Sequence, residues 1–169
     1  MPTPPALRHR LTAQGAYHLT AISRPFVQAL VGTPLAHAWQ GYGSTVFLEF
    51  GDLAPGNWRK GKRGNPIGDL TLMMDDWWVE GPRPSSADPS GFYVNWQVIC
   101  EEFMGTRVVA MELLGCIPEV CVTLDNGCRL GSVSQLNEEP DWALLARNPL
   151  LGSLCIREGI LSVDSRGGN

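Results

Sequence analysis

A β-rich α+β fold is what this 169-residue chain predicts, with two pseudo-repeated halves packed around one core. Three observations carry that expectation. The segment Ser23-Arg24-Pro25-Phe26-Val27-Gln28-Ala29-Leu30-Val31-Gly32 is echoed in register by Thr106-Arg107-Val108-Val109-Ala110-Met111-Glu112-Leu113-Leu114-Gly115. Hydroxyl, Arg, Leu and Gly recur, and internal self-similarity sets architecture. Glycine (19) and proline (13) are frequent, which favours many turns over a helical bundle. Several stretches alternate apolar and polar residues with the period of a strand. The expected globular domain spans residues 16–165, with half-units of about 20–99 and 100–165. Flexible ends are expected at 1–15 and 166–169.

Each element follows from local grammar. A first helix is expected over Pro25–Val31. Pro25 sits where its missing N–H costs nothing, Phe26, Val27 and Leu30 form an apolar stripe, and Gly32 with Pro34 ends it. His37–Gly43 reads as a strand entering a glycine turn, and Val46, Leu48 and Phe50 alternate with Phe47 and Glu49. Ala54–Gly68 is a Gly/Pro/basic stretch. Leu70–Glu80 reads as one long strand, and Pro82–Ser90 as a loop. Phe92, Val94, Trp96 and Val98 alternate as a further strand. A second helix is expected over Arg107–Leu114, capped by Thr106 and stopped by Gly115, with a start as early as Cys100 also allowed. Pro118–Leu124 and Cys128–Ser134 flank an Asp125-Asn126-Gly127 hairpin, read as a primed turn. Glu138–Pro140 is a loop and Trp142–Leu145 a short strand. Ser153–Ile156 and Ile160–Val163 form a closing hairpin around Glu158-Gly159. Two Asp-Trp pairs, Asp76-Trp77 and Asp141-Trp142, extend the echo between the halves.

Composition bounds the function classes. The net charge of −4 gives no global basic field that would draw the whole chain to nucleic acid. Five cysteines, Cys100, Cys116, Cys121, Cys128 and Cys155, are odd in number and form no Cys-x-x-Cys pair. Reduced thiols in a cytoplasmic protein are therefore expected, rather than a disulfide framework or structural zinc. Met1–Pro5 leads into polar, basic sequence, so no signal peptide is expected. No apolar run approaches the ~20 residues of a membrane span.

Two segments stand out. Gly56-Asn57-Trp58-Arg59-Lys60-Gly61-Lys62-Arg63 nearly spells a phosphate-binding loop. Arg63 occupies the position of the magnesium-binding hydroxyl, however, and Gly64, Asn65, Pro66 and Gly68 oppose the helix that would hold phosphates. The same segment concentrates Arg59, Lys60, Lys62 and Arg63 beside Trp58. That combination suits RNA, single-stranded DNA or an acidic protein, and equally a solvated hairpin tip. Asp75-Asp76-Trp77-Trp78-Val79-Glu80 is the second cluster. Alternation along a strand puts Asp75 and Asp76 on opposite faces, so they form no catalytic dyad. It also turns one Trp inward and its neighbour outward, where acids give it a charged rim suited to an interface anchor.

No catalytic signature is legible. His9, His18 and His37 do not converge, and the sequence contains no His-x-x-x-His and no Gly-x-Ser-x-Gly. No cofactor or metal is expected. A small, acidic, Trp-rich, motif-poor α+β domain is a type common among bacterial proteins that work by binding another protein, immunity proteins that neutralise toxins included. The expected function is thus non-enzymatic protein binding of the immunity or inhibitor kind. The expected surface is Asp75, Asp76, Trp77, Trp78 and Glu80, with Trp58, Arg59, Lys60, Lys62 and Arg63 as a second candidate. A basic partner would match the acidic cluster. Nucleic-acid binding through the basic loop is the alternative, and an enzyme site assembled from scattered residues the third reading.

Overall fold

The computed structural model describes residues 16–17, 21–59, 61–81, 96–135 and 140–164. Lys60, the expected loop at Pro82–Ser90, Phe92 and Val94, Glu138 and Glu139, and the ends at 1–15 and 166–169 lie outside the described residues. The fold is β-rich, and the described residues form two antiparallel sheets, a two-stranded ribbon and two short helices. In chain order the elements are β1 (Ala16–Tyr17), α1 (Arg24–Leu30), β2 (Leu35–Gln40), β3 (Val46–Phe50), β4 (Trp58–Arg59), β5 (Lys62–Arg63), β6 (Leu70–Met74) and β7 (Trp77–Glu80). They continue with α2 (Trp96–Phe103), β8 (Val108–Leu114), β9 (Glu119–Leu124), β10 (Arg129–Ser132), β11 (Trp142–Ala146), β12 (Ser153–Arg157) and β13 (Ile160–Asp164). One sheet has the order β1-β8-β9-β10-β7, the other β13-β12-β11-β6-β3-β2.

The expected long strand Leu70–Glu80 bends at Asp75-Asp76 and changes sheet there, as β6 and then β7. Its antiparallel neighbour changes sheet with it. Ser132 of β10 faces Trp77, and Trp142 of β11 faces Met74. The Asp75 amide donates to the Asp141 carbonyl at 3.0 Å and the Val133 amide to the Asp76 carbonyl at 2.9 Å, so hydrogen bonding continues through the corner. The two Asp-Trp pairs thus meet at this corner.

At the other margin the sheets meet through the two helix exits. Gly32 (φ 87) and Gly105 (φ 80) hold the left-handed backbone that ends each helix. The Thr33 hydroxyl donates to the Leu30 carbonyl at 2.6 Å, and the Thr106 hydroxyl to that of Phe103 at 2.6 Å. The exits then exchange backbone bonds reciprocally. Gly32 donates to Val108 and Gly105 to Leu35, each at 2.8 Å; Val108 donates to Thr33 at 3.0 Å and Leu35 to Thr106 at 2.8 Å.

The helix expected in the second half and the strand expected before it both need correction. Arg107–Leu114 is no helix: Val108–Leu114 is strand β8, so the echoed segments align a helix with a strand and do not occupy equivalent positions. The β-bulge between Val108 and Ala110 explains the misreading, because it spaces the buried residues Val108 and Met111 by a helical three. Trp96 and Val98, read as the end of a strand, lie in helix α2, which starts before the Cys100 that the sequence allowed and buries Trp96, Cys100 and Phe103 at i, i+4 and i+7. Thr106 closes a helix instead of opening one.

Turn chemistry is closer to expectation. Glu158 (φ 51) and Gly159 (φ 76) form the two-residue turn between β12 and β13. Asp125-Asn126-Gly127 does join two strands, but as a three-residue loop in which only Gly127 has positive φ (84). The Gly127 amide donates to the Leu124 carbonyl at 3.0 Å, the pattern of a type I turn ending in a left-handed glycine.

One core cluster lies between the layers. It draws Phe26 and Leu30 from α1, Phe103 from α2, Leu48, Leu72, Leu144 and Leu154 from the six-stranded sheet, and Val120, Val122 and Leu130 from the other. Cys100 and Cys121 are buried, and Cys116 is exposed. Burial is the main cause raising the Cys121 pKa, and it pushes Cys100 from 9.0 up to about 11. The neutral Cys100 thiol therefore supports the fold fully below pH 9.0, and that support is lost as pH rises through about 11. At pH 8, iodoacetamide is expected to label Cys116 well before Cys100 and Cys121, as read by peptide mass spectrometry. Equal labelling rates would contradict this burial pattern.

Candidate functional site

The pleat of the six-stranded sheet sends Val46, Leu48, Leu72 and Leu144 into the core and the alternate residues to its outer face. Strand register sets the outer residues side by side. Trp39 faces Phe47, Phe47 faces Met73, Glu49 faces Thr71, and Thr71 faces Leu145. They line an open groove made of two adjoining hollows, of about 600 and 490 Å³, which share Trp39 and Phe47. These two rings stack at 3.9 Å between centroids with planes 4° apart. Gly41 makes room for the stack, since a Cβ there would lie 2.8 Å from the Phe47 ring.

A buried carboxylate anchors the groove floor. Glu49 is 1 % exposed. Its Oε1 accepts from Trp39 Nε1 at 3.0 Å, and its Oε2 accepts from the Gly68 amide at 2.9 Å and the Thr71 hydroxyl at 2.5 Å. The acid thereby fixes the Trp39 ring to the sheet. His37 stands opposite Glu49 in register, and its Nε2 is buried without a hydrogen-bond partner. At one end of the groove, Arg147 is committed to the rim. It donates to the carbonyls of Asp52 (2.9 Å) and Ile67 (3.2 Å) and to Asp69 Oδ1 (2.5 Å). At the other end stand Tyr42, fully exposed, and Asp75, whose Oδ1 accepts from the Thr45 hydroxyl at 2.9 Å.

The structure divides the Asp75–Glu80 cluster among four places. Asp75 lines the groove. Asp76 braces the corner, accepting from Ser44 Oγ at 3.2 Å and from Gln135 Nε2. Trp77 turns inward against the core, meets Trp96 edge-on at 4.8 Å, and donates from Nε1 to the Ser44 carbonyl at 3.0 Å. Trp78 and Glu80 lie on the five-stranded sheet, on the face opposite to Trp77. Trp78 lies over Gly131, where a Cβ would come within 2.4 Å of the ring, and the Arg129 guanidinium sits 5.8 Å from its centroid. Arg129 also pairs with Glu80 at 3.2 Å and Glu112 at 3.7 Å.

The basic segment forms a β-hairpin. Trp58 and Arg59 belong to β4, and the exposed Lys62 and Arg63 to β5. Gly56 and Gly64 let its two arms close, since a Cβ on Gly56 would lie 1.9 Å from the Asn65 carbonyl oxygen. The base of this hairpin, Ala54, Pro55 and Ile67, borders the groove at the Arg147 end. The groove thus brings together Asp75 and the foot of the basic hairpin, and leaves Trp77, Trp78 and Glu80 elsewhere.

Trp39, Tyr42, Phe47, Met73 and Leu145 were absent from the sequence-derived site. The available signal was the apolar residue at the outward position of β3, Phe47 between Val46 and Leu48. Among the described residues no group of three His, Cys, Asp or Glu side chains is placed to hold a metal ion. No described helix is long and apolar enough to cross a membrane. Fold and groove together define a small β-rich domain with an open, aromatic-walled cleft on one sheet. The chain matches no protein family, no curated protein and no solved structure.

Proposed function

We propose that the chain is a non-enzymatic protein-binding module of the immunity or inhibitor kind, acting in a bacterial cytoplasm on a basic partner that docks in the outer groove of the six-stranded sheet. The observation that carries this reading is the stacked Trp39–Phe47 pair in an open groove. Core packing does not require apolar rings on the outer face of a sheet, and aromatic anchors in a concave patch are what protein interfaces use. Two of the polar groups beside them are already occupied, Glu49 by three donors and Arg147 by three acceptors. Such saturation favours a fixed recognition surface over groups that must exchange protons.

The half-units, about 20–99 and 100–165, are in this reading a duplication. Its equivalent points are the helix exits at Gly32 and Gly105, and the reciprocal bonds between them support it. The groove then belongs to one of two corresponding outer faces, the other being the Trp78–Arg129 face.

The test is capture of the partner from the native host, followed by titration with purified components. Met73→Lys, which sets a cation against the basic partner, is expected to weaken the complex about thirtyfold or more, the loss typical of a central interface position. Lys62→Glu with Arg63→Glu is expected to weaken it far less. Wild-type affinity in Met73→Lys would overturn the reading. So would co-purification of nucleic acid alone, lost with Lys62→Glu and Arg63→Glu, which the exposed basic hairpin favours as the second reading.

A further inference from the structure

The 600 Å³ hollow at the Asp75 end of the groove has a specific chemical character. Trp39 and Phe47 wall it, the fully exposed Tyr42 stands at its mouth, and Met73 and Pro140 supply apolar surface. Among the described residues that line the hollow, Asp75 is the one carboxylate and none is cationic. We infer that this hollow receives one basic side chain, lysine or arginine, projecting from the partner protein. The inference rests on the docking reading above and names what the groove recognises.

Charge and geometry select this occupant. Aromatic faces carry negative quadrupole potential and attract ammonium or guanidinium groups. The aliphatic stem of such a side chain packs on Met73 and Pro140 while its head reaches Asp75. Thr45 engages Asp75 through Oδ1, which holds the carboxylate in place for a second partner. An anion would meet both the carboxylate and the ring faces unfavourably. A purely apolar side chain would cover Asp75 without giving it a partner, a desolvation cost that a cation avoids. Arg147 lines the opposite end of the groove, where its terminal nitrogens bond Asp52, Ile67 and Asp69.

The probe is N-acetyl-arginine amide, with the isosteric, uncharged N-acetyl-citrulline amide as control. Binding is followed through the Trp39 indole N–H resonance. Arginine amide is expected to shift that resonance saturably, with citrulline amide about tenfold or more weaker. Asp75→Asn keeps an acceptor for Thr45, and it is expected to erase the preference for arginine. Tyr42→Ala, at a fully exposed position, is expected to weaken arginine binding about threefold without affecting folding. Equal binding of arginine and citrulline, a preference that survives Asp75→Asn, or a Trp39 signal unmoved by arginine would each overturn the inference. A partner complex lost in Met73→Lys but intact in Asp75→Asn would overturn it too, while leaving the docking reading in place.

Discussion

Glu49→Ala is expected to lower the unfolding free energy by about 3–5 kcal/mol, the sum of several buried donors left without an acceptor at about 1–3 kcal/mol each, reduced by local relaxation. Trp39 Nε1, the Gly68 amide and the Thr71 hydroxyl all converge on this one carboxylate. Gly68 has little freedom to move away, because a Cβ there would already lie 2.5 Å from the Phe50 carbonyl oxygen. Glu49→Gln keeps one oxygen and turns an amide N–H₂ toward a donor, so a smaller loss of about 1–2 kcal/mol is expected. Urea denaturation followed by far-UV circular dichroism measures both. The alanine variant is also expected to release the Trp39 ring from its stack on Phe47, coupling groove shape to the floor beneath it. A midpoint unchanged by Glu49→Ala would show that the three bonds do not brace the sheet.

Trp142→Ala is the second large effect, with an expected loss of about 3–5 kcal/mol. Trp142 is 0 % exposed and is the largest fully buried side chain among the described residues. Its truncation opens a cavity where β11 meets β6 at the sheet corner. Its Nε1 also donates to the Pro118 carbonyl at 2.9 Å, and that acceptor loses its partner. Trp142→Phe refills most of the volume but not the hydrogen bond, so an intermediate loss of about 1–2 kcal/mol is expected. Equal destabilisation by Phe and Ala would mean that the indole hydrogen bond, not packing, dominates at this corner.

Much of the strand pattern is legible in the sequence, because period-2 alternation is a direct consequence of the pleat. Val46, Leu48 and Phe50 turn to the core as their spacing implies, and Glu158-Gly159 turns where it should. Helix α1 is legible because proline, an i, i+4 apolar pair and a positive-φ glycine agree. The second half misleads where two periods coincide. The bulge in β8 imitates helical spacing, and alternation running into Trp96 imitates a strand although Trp96, Cys100 and Phe103 form a helical stripe. The bend at Asp75-Asp76 is invisible locally, since it is imposed by strand pairing on both sides.

The groove is harder to read than the fold. Trp39, Phe47 and Met73 lie on three strands, and only sheet order makes them neighbours. Asp75 is the point at which local clustering and three-dimensional grouping overlap. Trp77, beside it in the chain, is drawn to the core by Trp96, and Trp78 is drawn to the glycine gap at Gly131.

The central claim is that partner docking uses the outer face of the six-stranded sheet. Site-specific photo-crosslinking with purified partner tests it most directly, with the crosslinker placed at Tyr42 beside the groove or at Glu80 beside Trp78. The account predicts a single crosslinked complex from position 42 and none from position 80, with the crosslink from position 42 lost in Met73→Lys. Crosslinking from position 80 with none from position 42 would contradict it and assign recognition to the Trp78–Arg129 face.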